Sequence, residues 1–250
     1  MTAPDHTGRG APIRAYPERV PAAPTPRGAR AALADLGRSG GGIALPRDLA
    51  AASDPRPAAV LILFGILDAL PAGAPASAVS RDLDVLLLAR AATLRSHPGQ
   101  VAFPGGRLDP EDDGPVAAAL REAREETGLD SAGVEVLGAL TPVPLEFSRH
   151  LVTPVLGWWR EPSPVRVVDE AESAAVFRAP VADLLDPVNR GVTVIRRDGR
   201  EWRGPGFLVP HPGGAHLVWG FTAMLLDGLF QTLGWTEPWD DTRELPLPPA

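Results

Sequence analysis

Mixed strands, few and well-spaced helices and the absence of an internal repeat predict a single α+β (layered α/β) domain. The chain has 250 residues, 44% of them hydrophobic, which suffices for one substantial core. Its longest apolar run, Ala58–Leu67, is far too short to cross a membrane and suits a buried strand.

Residues 1–26 are rich in Pro, Ala and Gly and are expected to be disordered. Prolines there oppose an amphipathic targeting helix, and no secretory stretch precedes the domain, so a cytoplasmic protein is expected. A short helix is expected over Ala29–Leu36, stopped by Gly40–Gly42, with residues 27–56 packing on the core. The domain proper is expected over 57–236, followed by a Pro-rich tail, 237–250. Strands are expected at Ala59–Phe64, Asp84–Leu88, Val134–Leu140, Val152–Trp158 and Ala175–Arg178. A Pro/Ala/Ser loop fills 71–80. Helices are expected at Pro115–Thr127, Val181–Leu185 and Val218–Leu233. Asp198-Gly199 marks a hairpin between Val192–Arg196 and Glu201–Trp202.

Composition removes several chemistries. There is no cysteine, so disulfides, thiolate metal sites and cysteine nucleophiles are unavailable. There is no lysine, so no lysine can act as nucleophile or phosphate clamp. A net charge of −7 disfavours general attraction to nucleic acid, and neither a nucleic-acid nor a membrane partner is expected.

The informative stretch runs from Gly105 to Leu129. Pro115 suits a first helical position, and Asp112 and Asp113 precede it, where the helix dipole favours acids. Gly128 suits a left-handed helix end. At about 100° per residue, Val116, Ala119, Leu120, Ala123 and Thr127 share one face, while Glu122, Glu125 and Glu126 share another. Three carboxylates at this spacing repel one another unless a cation sits among them. Arg121 can take part of the charge, and a hard divalent ion such as Mg²⁺ can take the rest. A solvated acidic face is the plainer alternative.

From Arg121 to Leu129 the pattern Arg-Glu-apolar-x-Glu-Glu-x-Gly-apolar resembles the second half of the Nudix box. The first half departs from it: Asp113 stands where the box has its first Glu, and Gly106 lies one residue too far upstream. The resemblance implies a Nudix fold, an α/β/α sandwich with a mixed central sheet and a loop–helix–loop box. It implies a hydrolase with Glu122, Glu125 and Glu126 as catalytic ligands of Mg²⁺ or Mn²⁺. Arg121 and Gly128 would be structural members of the box.

Upstream, Leu86, Leu87 and Arg90, then Leu94-Arg95-Ser96-His97-Pro98-Gly99 and Phe103-Pro104-Gly105-Gly106, resemble the coenzyme A pyrophosphatase branch of that superfamily, which carries the same inserted residue. Coenzyme A holds a diphosphate and a 3′-phosphate, so cations are required. Arg90, Arg95 and His97 can supply them, with Gly105 and Gly106 allowing tight backbone turning or phosphate approach. Each of these three also has an ordinary role open to it, as a surface ion pair or a loop brace. Trp158, Trp159 and Trp219 read as core rather than as base-stacking platforms.

The expected reaction is metal-assisted attack of water on one phosphorus, with a carboxylate as proton acceptor. A box Glu or Glu172 is expected in that role, with Glu170 and Glu146 behind. Products from coenzyme A would be 3′,5′-ADP and 4′-phosphopantetheine. Alternatives are another substrate (ADP-ribose, NADH or a dinucleoside polyphosphate) and a non-catalytic ligand-sensing module. The expected partner is a small nucleotide, and a homodimer is compatible with exposed strands.

Overall fold

A computed structural model describes residues 26–45, 49, 53–66, 82–94, 98–145, 149–197 and 199–248. The loop 71–80, Arg95, His97, Glu146 and the turn residue Asp198 lie outside the described residues, as do residues 1–25 of the N-terminal segment.

The main sheet is built around β1 (Arg56–Ile66), β2 (Leu83–Arg90) and β7 (His150–Trp159). Its order is β3-β2-β1-β7-β5, with β3 at Val101–Ala102 and β5 at Val134–Ala139. Three more strands join it: β4 (Gly105–Arg107) on β1, β6 (Val143–Leu145) on β7 and β8 (Ser173–Pro180) on β2. β1 and β7 run parallel and the other pairs antiparallel, so the sheet is mixed.

Alternation along these strands sets the two faces. Ala59, Leu61 and Leu63 of β1 and Val155 and Trp159 of β7 pack beneath helix α2 (Gly114–Thr127). Ile62 and Phe64 of β1 and Leu156 and Trp158 of β7 face the other way. That second face is covered by α1 (Pro26–Ser39), α3 (Val181–Leu185) and α4 (Gly220–Thr232), giving the expected α/β/α layering. Because both faces are buried, β1 and β2 read as continuous apolar runs rather than alternating ones.

β1 and β2 stay paired only at Phe64–Ile66. Toward Arg56 and Arg90 they part, and the wedge is filled by β4, paired to Ala58–Val60, and β3, paired to Leu88–Ala89. The wedge strands are two and three residues long, too short to show a period in the sequence.

A second, three-stranded sheet has the order β11-β10-β9, formed by β9 (Arg190–Arg197), β10 (Arg200–His211) and β11 (Gly214–Val218). This sheet departs from the bounds expected from the sequence. The strand after the hairpin runs on to His211, far beyond Trp202. Gly204, Pro205, Gly206 and Pro210 hid it, since these residues are poor strand formers. Val218 closes β11 and belongs to no helix; Gly220, at φ +64°, lets the chain turn into α4.

Part of the Pro-rich tail packs on the second sheet. Val192 donates to the Arg243 carbonyl at 2.8 Å, Leu245 donates back to the Val192 carbonyl at 2.8 Å, and the Leu245 side chain is buried.

Candidate active site

Helix α2 begins with Pro115 in its first turn and ends at Gly128, whose φ of +69° lets its N–H reach the Arg124 carbonyl at 2.9 Å. Ala118, Ala119, Ala123 and Thr127 are buried against the sheet, and Val116 and Leu120 pack at the rim. Small alanines bring the helix axis close to β1, so the carboxylates on its flank are held against the wedge.

Arg121 organises that flank. Its Nε and one NH₂ group donate to the two carboxylate oxygens of Asp112 at 3.0 and 2.9 Å. The other NH₂ group donates to Glu122 and to Glu125, each at 3.0 Å. A further bond reaches the Arg107 carbonyl at 3.1 Å, tying β4 to the helix. The fork of Arg121 holds the Asp112 carboxyl below its ordinary range. Asp113, aligned with the first box Glu, stands just before the helix and makes no side-chain cap. The inserted loop residue moves the partner back by one, so Asp112 takes the guanidinium. The sequence hinted at this only through the adjacent acid pair.

Gly105 and Gly106 act through close approach. A side chain at Gly105 would meet the Ala59 carbonyl at 2.4 Å, and its φ of +158° suits glycine. One at Gly106 would meet the Glu122 carboxylate at 2.3 Å. The missing side chains let two carboxylates rest against the wedge backbone, and the Gly105 N–H donates to Glu126 at 2.9 Å.

Burial pushes the Glu126 carboxyl up to about 7; the Gly105 bond and the Arg90 charge pull it down, while Glu122 and Glu172 add repulsion. The Glu122 carboxyl is raised, first by burial. Arg90 and Glu172 thus share the neighbourhood of Glu126. Their backbones explain why: β8 joins β2 with a register shift at Ala89/Arg90, and Ala91 donates to the Glu172 carbonyl at 2.9 Å. Among the described residues the buried Arg90 Nε has no hydrogen-bond partner. Glu170 and Glu172 are exposed, and Trp158 and Trp159 are buried in the core.

Among the described residues no three acidic or imidazole side chains converge at metal-binding distance. Glu122 and Glu125 are drawn to Arg121, and Glu126 to Gly105. The donor set nevertheless fits a hard cation, being all carboxylate oxygen. Glu126 is buried among like charges, an environment that a positive charge would relieve. A shared ion would require Glu125 to leave the guanidinium.

The NUDIX domain model matches residues 71–197, just over half the chain. The chain belongs to the Nudix hydrolase family. A Photorhabdus laumondii protein called uncharacterized Nudix hydrolase NudL is 39% identical over 147 residues, spanning 59% of this chain and 75% of that protein. The Cronobacter sakazakii protein of the same name is 41% identical over 150 residues, covering 60% and 75%. Among solved structures, the Nudix hydrolase RenU from M. smegmatis aligns over 80% of this chain and 98% of its own, with 21% identity and a TM-score of 0.45. A C. elegans Ap4A hydrolase aligns over 51% and 82%, with 20% identity and a TM-score of 0.38.

Proposed function

We propose that the chain hydrolyses the diphosphate linkage of coenzyme A or a derivative, releasing 3′,5′-ADP and 4′-phosphopantetheine or its acyl form. The observation that carries the reading is Glu122 and Glu126 pressed against Gly105–Gly106, with Arg90 and Glu172 beside them. Glu122, Glu125 and Glu126 would hold Mg²⁺ or Mn²⁺. Bound there, a divalent ion neutralises diphosphate charge and lowers the pKa of attacking water.

The chain's own groups do the rest. Arg90 presents a guanidinium to a phosphate oxygen, aided by Arg95 and His97 from the β2–β3 connection. Arg121, anchored by Asp112, keeps Glu122 and Glu125 in place until they are engaged. Glu172 or a box Glu accepts the proton of the attacking water. The resemblance of Leu94–Gly99 to the coenzyme A branch supports this substrate over ADP-ribose or NADH. The alternative is a non-catalytic ligand-sensing module.

The test is to incubate the full chain with coenzyme A, ADP-ribose and NADH, each with Mg²⁺ or Mn²⁺, and resolve the products by liquid chromatography. Release of 3′,5′-ADP well above the other rates upholds the reading. Cleavage of only ADP-ribose or NADH removes the substrate and keeps the chemistry. Cleavage of none with either ion favours the sensing module.

A further inference from the structure

We propose that Arg56, Arg107 and His150 form a second anion subsite, which takes a phosphate monoester carried by the substrate outside its diphosphate. The inference deepens the reading above and rests on it for the substrate.

Strand register assembles the three. Arg107 on β4 pairs with Ala58 of β1, and Arg56 lies two residues along the same strand, on the same face. Arg56 pairs in turn with His150 at the start of β7. Gly106 faces Glu122 on the α2 side, so Arg107, the next residue, projects to the opposite side of the wedge. β1 and β7 begin at this end of the sheet, and β2 and β4 finish there. The cluster therefore stands at the same sheet end as Arg90 and the box acids, and the Arg107 carbonyl is tied to Arg121.

Charge sets this cluster apart. Arg30, Arg121, Arg178, Arg190, Arg196 and Arg203 each meet a carboxylate. Arg56 and Arg107 are exposed, and neither side chain makes an ion pair or hydrogen bond among the described residues. The His150 imidazole is held below its ordinary range by burial and then by the Arg107 and Arg56 charges, which places all three within mutual electrostatic reach. In a chain of net charge −7, an uncompensated positive group at the rim of an acidic site is a receptor for an anion. A phosphate monoester fits it, offering two charges and three acceptor oxygens to two guanidinium forks and an imidazole N–H. Coenzyme A bears such a group on its ribose, whereas ADP-ribose and NADH do not, so the subsite would select among the substrates named above.

The test is calorimetric binding of 3′,5′-ADP and of 5′-AMP to the full chain and to its Arg56→Gln/Arg107→Gln double variant. Wild type should bind 3′,5′-ADP at least about tenfold more tightly than 5′-AMP, as a charge-assisted contact demands, and the double variant should lose most of that ratio. A wild type without the preference, or a double variant that keeps it, overturns the subsite. Because no turnover is needed, the outcome is separate from the hydrolysis assay. If coenzyme A is not cut while the calorimetric preference and its loss in the variant are seen, the subsite stands and the substrate reading falls.

Discussion

Arg121 and Arg190 are both tied to carboxylates, yet their surroundings are opposite. Arg121 keeps 20% of its side-chain surface and divides itself among Asp112, Glu122 and Glu125. Arg190 has none; it pairs with Asp227 and lies between the rings of Phe207 and Trp239, 4.8 and 4.4 Å from their centroids. Around Arg121 acids outnumber the cation, and the surplus falls on the partly desolvated Glu122 and Glu126. Around Arg190 a balanced pair joins α4, the second sheet and the tail. Surplus charge marks the region disposed to bind something further, and balance marks the region that holds the fold.

Four substitutions can break or sharpen that contrast. Glu126→Gln should lower turnover by on the order of a thousandfold. It should not lower the melting temperature, because burial already disfavours the charged form. Retained metal-dependent turnover would remove Glu126 from the chemistry. Asp227→Asn should act in reverse, removing the carboxylate that meets the buried Arg190 and costing about 3–5 kcal/mol in urea denaturation. If kcat/KM of the folded variant fell as well, the two regions would not be independent.

Gly106→Ala tests the wedge. Its added methyl would meet the far end of the flexible Glu122 side chain, so little loss of stability but a kcat loss exceeding any KM change is expected. Wild-type kinetics would show that Glu122 need not touch the backbone. The smallest effect concerns the stack of Phe177, His216 and His211, with centroid separations of 4.5 and 4.4 Å. Burial, then His211, lowers the His216 pKa below its ordinary 6.5. The neutral form is favoured in the folded state, so this stability is present above about pH 6.5 and is lost as pH falls through the folded value. The melting temperature should drop on acidification, and His216→Phe should flatten the drop.

Much of the site was legible because it is local. The 3.6-residue period put Ala119, Ala123 and Thr127 on one face of a helix and Glu122, Glu125 and Glu126 on another, and Gly128 marked its end. The main-sheet strands were legible as apolar runs. Other features depended on distant partners. Asp112 rather than Asp113 takes Arg121, because the loop path and not the residue count sets which carboxylate arrives. The second sheet was masked by its Gly and Pro residues, which are tolerated in β10 because its neighbours supply the pairing.

By itself, the sequence determined the acidic helix, the apolar strands and the family. The tertiary structure decided which distant groups share a neighbourhood: Arg90 with Glu172 across the β2 and β8 register shift, both near Glu126 of α2, Arg56 with Arg107 and His150 across β1, and Trp239 with Arg190. Periodicity acts over a few residues and is written into the chain. Register and burial depend on which strands meet and are set only when the whole sheet closes.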